Sequence, residues 1–195
     1  MTHTGRVHDR DLLDALESLD AEPYSGPAWR TAWVTRDPLV GSTAGGRWHP
    51  PNSFEALYTS LEADGSLAEV YHHLSRAPVF SSAHVRLVRL NVETVNTLRL
   101  TETEVLDRLG IKDSKYRSMD FARSQEIGAA ARLLEFDGLL VPSARWACLN
   151  LVLFPDLLDP DKALSVDEVS DVNWPAWREA NLAAEFQAKP TNRNP

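Results

Sequence analysis

Between positions 45 and 69 the chain places a glycine pair, an arginine, aromatic rings, a proline pair and a helical glutamate within 25 residues. Gly45-Gly46 allows the backbone to approach a ligand closely or to adopt a positive φ, and Arg47 follows at once with a planar fork that suits phosphate. Trp48 and Tyr58 carry faces that can stack on a planar ring. Arg30, farther back, offers a second fork. Ser143, with Arg145 nearby, offers a hydroxyl that can donate to a phosphate or ribose oxygen. The same residues have plainer readings: arginines on exposed strands are solvated or ion-paired, aromatics at strand spacing fill a core, and a lone glutamate on the polar face of a helix is simply hydrated.

Several chemistries are excluded by pattern. His72 and His73 are adjacent, so on a helix they point about 100° apart, and no Cys/His/carboxylate set stands at metal-ligand spacing. No GxxxxGK[ST] occurs and no GxGxxG follows a strand, which removes P-loop and dinucleotide-fold chemistry. Ser143 lacks the GxSxG elbow of a nucleophilic serine. Cys148, the one cysteine, precedes an apolar run and reads as a packed thiol; alone it rules out an intramolecular disulfide and suits a reducing compartment.

The elements that would position these groups alternate irregularly. Val7, Leu12, Leu13, Leu16 and Leu19 predict an amphipathic helix over 7–19, broken by the proline- and glycine-rich 22–27. A strand over 29–34 sets Arg30 opposite Trp29 and Trp33. A loop over 36–45 leads into the glycine pair, and Pro50-Pro51 keeps Arg47 and Trp48 at a strand end or in a loop. A strand over 56–60 passes through a polar turn at Asp64-Gly65 into a helix over 66–74, where Leu67, Val70, Tyr71 and Leu74 form the apolar stripe and Glu69 projects away. A strand over 85–92 follows. Thr101 and Glu104 suggest a capping box for a helix closing at Gly110, residues 111–117 read as loop, and 121–134 is an alanine-rich helix. Two apolar runs, 139–141 and 149–154, read as central strands. Beyond Pro155 the chain turns acidic and irregular, then forms a helix over 175–188 through Trp177, Leu182 and Phe186, with a frayed end; Trp174 and Trp177 there could serve a partner surface or pack. The expected class is α+β, a small twisted mixed sheet flanked by helices.

With 195 residues, 43% of them hydrophobic, one domain with a full core suffices. A net charge of −8 and a pI near 5.2 argue against direct binding to a nucleic-acid backbone. No apolar run reaches a membrane-spanning length and the N-terminus has no apolar signal region, so the expectation is a soluble, cytoplasmic protein with no membrane association.

Taken in order, Trp29-Arg30, Gly45-Gly46-Arg47-Trp48, Leu57-Tyr58, Ala68-Glu69-Val70, Val141-Pro142-Ser143-Ala144 and Asn150-Leu151-Val152 resemble the RES domain family, named for an arginine, a glutamate and a serine. The resemblance spans about Ala28 to Pro155, with the 7–19 helix before it and an extension over 156–195 after it. It implies a fold similar to ADP-ribosyltransferase toxins. It also implies a toxin of a bacterial type II toxin–antitoxin module, partnered by an antitoxin with an Xre-like helix-turn-helix, with room for an oligomer inside such a complex. The implied activity is NAD degradation at the nicotinamide–ribose bond, with phosphate or water as acceptor, NAD being substrate and no cofactor being required. On this reading Glu69, Arg47 and Ser143 are catalytic, while Arg30, Tyr58, Trp48 and Gly46 bind substrate. Glu69 would stabilise an oxocarbenium-like transition state, the two arginines would hold pyrophosphate or attacking phosphate, Ser143 would donate to that anion, and Tyr58 with Trp48 would sandwich the nicotinamide. Two other outcomes stay open, transfer of ADP-ribose to a host protein and a non-catalytic interaction module. The chain departs from the family pattern at His49, where asparagine is usual, and at Pro50-Pro51-Asn52, where a PPG turn is usual.

Overall fold

The computed structural model describes residues 9–75 and 84–187, with side chains described to residue 181. An eight-stranded mixed sheet is its frame, larger than the small sheet expected, in the order β1-β5-β6-β7-β3-β2-β4-β8. The strands are β1 (Ala21–Glu22), β2 (Ser25–Trp33), β3 (Leu57–Ser60), β4 (Val85–Glu93), β5 (Thr97–Arg99), β6 (Gly138–Pro142), β7 (Leu149–Leu153) and β8 (Leu164–Asp171). Among the described strands only β5 and β6 pair in parallel; their crossover carries the helices α3 (Thr103–Arg108), α4 (Asp113–Tyr116) and α5 (Ala122–Leu133).

Period-two alternation divides the two apolar runs between two cores. Leu139, Val141 and Val152 face one side, under α5 and α1 (Arg10–Glu17), while Leu140, Leu151 and Leu153 face the other with Val88, Leu90 and Val92 of β4. In α1 only Leu12 and Leu16 are fully buried, as an amphipathic outer helix requires; Val7 lies outside the described residues. A third cluster joins α2 (Ala63–Leu74) to α6 (Trp174–Gln187) through Leu67, Leu74, Val85 and Trp174. Trp174 is buried there and Trp177 packs against Tyr71, so these rings hold the helix down and do not form an open partner surface. The side chains of Leu182 and Phe186 and the segment beyond 187 lie outside the described residues.

Five local expectations change. The strand read as 29–34 begins at Ser25, because Gly26-Pro27 is tolerated opposite Val92 and Asn91 of β4. Asp64-Gly65 is no turn but the first turn of α2, which begins directly after β3. The N-cap of α3 is Glu102, without a side-chain cap bond, and the Thr101 hydroxyl instead donates to Glu102 Oε1. The polar stretch 111–117 contains α4, whose Tyr116 is buried and donates to Pro142 O at 2.5 Å. The acidic tail contributes β8, an edge strand paired on one side to β4; its exposed charges are compatible with an edge, where one flank meets water.

Candidate active site

Strands β2, β3 and β7, helix α2 and the loop over 42–49 enclose a cavity of about 340 Å³. Arg30, Gly46, Arg47, Trp48, Tyr58 and Glu69 all border it, so residues 39 positions apart in sequence meet at one place. Ser143 does not line the cavity; it is buried behind Glu69.

Glu69 enters from α2, which is tied to β2 by a 2.9 Å bond between the Ser66 and Thr31 hydroxyls. Three donors converge on one of its oxygens: Ser143 Oγ at 2.7 Å, Ala144 N at 3.2 Å and Asn150 Nδ2 at 3.1 Å all reach Oε1. None of the described residues donates to Oε2. The carboxylate is therefore an oriented one, and not the hydrated side chain of the plainer reading. Ser143 also accepts from the backbone N–H groups of Arg145 and Trp146, each at 3.2 Å, so its proton is committed to Glu69 and both its lone pairs are used. The hydroxyl expected to donate to a bound anion instead braces the carboxylate.

Arg47 sits between the rings of Tyr116 and Phe121, 5.0 and 4.6 Å from its guanidinium carbon, and donates to Ser118 O at 3.2 Å. Burial pulls its pKa down, opposed by Tyr116, Glu69 and Tyr58. Arg30 donates to Val40 O at 2.9 Å, while its Nη1 is buried without a hydrogen-bond partner. Burial and the nearby Arg36 bring its pKa down to about 10, against the pull of Glu55 and Asp37, and at neutral pH it remains a cation. An unpaired buried guanidinium donor is well suited to an anionic ligand.

The loop carrying Arg47 is held by its own neighbours. Gly45 has φ +93°, which a side chain would strain, and a Cβ on Gly46 would lie 2.6 Å from the Tyr58 hydroxyl. His49 Nε2 accepts from Gly45 N at 3.1 Å, so the neutral ring carries its proton on Nδ1, and that proton reaches the Tyr58 hydroxyl at 3.0 Å. The same hydroxyl accepts from Trp48 N at 2.9 Å, and Gln125 donates to Gly46 O at 2.9 Å. Burial holds the His49 pKa below and the Tyr58 pKa above their ordinary values, which keeps both groups neutral. The Trp48 ring is 1% exposed and packs in the core under α5, so the stacking role expected for it is not available; its backbone N–H is what it supplies to the loop. Tyr58 keeps its border on the cavity.

Four contributors were not singled out from the sequence as site residues: Asn150, His49, Tyr116 and Phe121. Asn150 stands within a run that reads as core strand, yet an amide in an otherwise apolar strand is itself a signal. Tyr116 and Phe121 flank a polar segment and become visible only when that segment folds back over Arg47. Among the described residues no group of three His, Cys, Asp or Glu is placed to hold a metal ion, and no helix is long and apolar enough to cross a membrane.

This chain is 29% identical over 143 residues to NAD(+) phosphorylase MbcT of Mycobacterium tuberculosis, a match covering 70% of this chain and 77% of the relative. It is 28% identical over 179 residues to the probable NAD(+) phosphorylase Rv3189 of the same organism, covering 88% and 82%. One chain in the crystal structure of the M. tuberculosis MbcT–MbcA toxin–antitoxin complex superposes with a TM-score of 0.78 at 26% identity, over 88% of this chain and 97% of that one. The family model described as RES domain matches residues 25–177, which takes in every strand from β2 onward, α2 and the whole cavity. The chain belongs to the RES domain family.

Proposed function

We propose that this protein is an NAD-consuming enzyme of a toxin–antitoxin pair, which breaks the nicotinamide–ribose bond and passes ADP-ribose to inorganic phosphate. The observation that carries the reading is the Glu69 carboxylate, held by three donors through one oxygen at the wall of a cavity that also holds two arginines. The names of the relatives support phosphate as the acceptor. In the reaction the bond between the anomeric carbon and nitrogen breaks with its electron pair moving to the pyridinium, which leaves as neutral nicotinamide. A phosphate oxygen supplies the pair for the new carbon–oxygen bond. Positive charge develops on the ribose, and Glu69 offers the negative charge that stabilises it. Arg30 and Arg47 grip the pyrophosphate or the attacking phosphate, and Tyr58 flanks the nicotinamide end. Ser143 acts through Glu69 by fixing its orientation. We place this activity in the cytoplasm, in one domain over 1–195 with its motif-bearing core at 28–155, under the control of an antitoxin with a helix-turn-helix of the Xre type.

The test is incubation of the purified protein with NAD and phosphate, following nicotinamide release and the phosphorylated ADP-ribose product. Glu69→Gln keeps the shape and removes the charge, and is expected to lower the rate about 10²–10³-fold. Intact NAD with the wild-type chain would end the proposal. Release of nicotinamide with free ADP-ribose would identify water as acceptor, and label on a protein band would identify a protein acceptor.

A further inference from the structure

We infer that Asn150 is a positioning residue for the reaction: with Ser143 and Ala144 it saturates Oε1 of Glu69, so that Oε2 alone is presented to the ribose. This rests on the proposed NAD-consuming activity and adds to it an asymmetry between the two carboxylate oxygens. An unrestrained carboxylate rotates, and its oxygens are interchangeable. Here all three donors meet the same oxygen, and the Ser143 hydroxyl, the Ala144 amide and the Asn150 amide approach from one segment of β7 and the loop before it.

Asn150 is anchored where side chains are least free. Its backbone lies in β7, with Ser60 of β3 on one side and Val141 of β6 on the other. Its Nδ2 donates to Glu69 while its Oδ1 is buried with no hydrogen-bond partner. A buried acceptor without a donor is a cost to the folded chain. Turning the amide over would set an oxygen against the carboxylate and bury an unpaired N–H₂ in place of the orphaned oxygen. The arrangement is therefore dictated by the charge on Glu69 and not by the needs of the amide. A core strand has no use for such a group unless its donor matters.

The experiment measures kcat and KM for NAD in the full chain for Asn150→Leu, Glu69→Gln and the double variant. Asn150→Leu is expected to lower kcat on the order of 10–100-fold, the scale of a misoriented reacting group, with KM nearly unchanged. In the Glu69→Gln background the same change is expected to cost far less, because its target is gone. A change of kcat below twofold, or an equal loss in both backgrounds, overturns the inference. Asn150→Ala serves if the leucine variant does not fold: it also removes the donor to Glu69 Oε1, so kcat is expected to fall on the order of 10–100-fold with KM nearly unchanged, and an unchanged kcat overturns the inference. A wild-type chain inert toward NAD would instead fail the proposed function.

Discussion

Replacing Tyr58 with phenylalanine removes one oxygen and keeps the ring, so its effect measures what that oxygen does. The hydroxyl accepts from Trp48 N at 2.9 Å and from His49 Nδ1 at 3.0 Å, and Trp48 and His49 are 1% and 0% exposed. Phenylalanine leaves both donors buried and unpaired, at about 1–3 kcal/mol each. The cavity beside Tyr58 admits water that can satisfy one of them, so we expect about 3 kcal/mol in total, close to the upper range for one substitution. For a chain of this length that is a fall in Tm of roughly 6–12 °C. Tyr24→Phe is the internal control: the Tyr24 hydroxyl donates to Pro27 O at 2.6 Å, and removing it leaves an acceptor that water reaches more readily, at about 1 kcal/mol. Chemical denaturation of both variants gives the comparison, and amide exchange at Gly45 and Trp48 is expected to quicken only in Tyr58→Phe. Equal costs for the two substitutions, or a loss below about 0.5 kcal/mol at Tyr58, would refute the account of the loop.

Other outcomes follow from the same geometry. Burial holds the His49 pKa below its ordinary 6.5, so at higher pH both folded and unfolded chains carry it neutral. As pH falls below 6.5 the unfolded chain takes up a proton that the folded one resists, and stability is lost. The stability of wild type minus that of His49→Gln is therefore expected to decline with falling pH, by at most about 1.4 kcal/mol per unit, and a flat difference in pH-dependent denaturation would contradict it. Gly128→Ala places a Cβ inside the Trp48 carbonyl, so it is expected to destabilise by more than about 3 kcal/mol despite the helix preference of alanine, which is worth about 1. A raised Tm in that variant would show that α5 and the loop can separate freely. Arg47→Lys keeps the charge but loses the planar stacking between Tyr116 and Phe121, and is expected to raise KM for NAD several-fold. An unchanged KM would remove Arg47 from ligand binding.

Local pattern carried much of the architecture. The 3.6-residue spacing of Leu12 and Leu16, the alanine-rich run of α5 and the apolar pair of strands β6 and β7 were legible because a short window of sequence decides which face is greasy. It was weaker where a partner decides: LSVDEVSD becomes a strand because β4 offers an unpaired edge, and Asp113 to Tyr116 become a helical turn because Tyr116 finds Pro142 O. At the site, the glycine pair and Arg47 stood out by residue type, while Glu69 read as a hydrated helical residue until the ordered motifs that marked the family gave it a role. What a linear chain cannot carry is which hydrogen bond a given atom makes. Ser143 looked available to an anion until its proton was found on Glu69, Trp48 looked available to a ring until the core claimed it, and Asn150 looked like one polar residue in a strand until β7 brought it within 3.1 Å of a carboxylate. Residue types and order pointed to an arginine, a glutamate and a serine; only the register of β3, β6 and β7 decided that the serine and Asn150, quoted beforehand as part of a motif and given no role, would spend their donors on a single oxygen of Glu69, because hydrogen-bond partners are set by contact in space and not by separation along the chain.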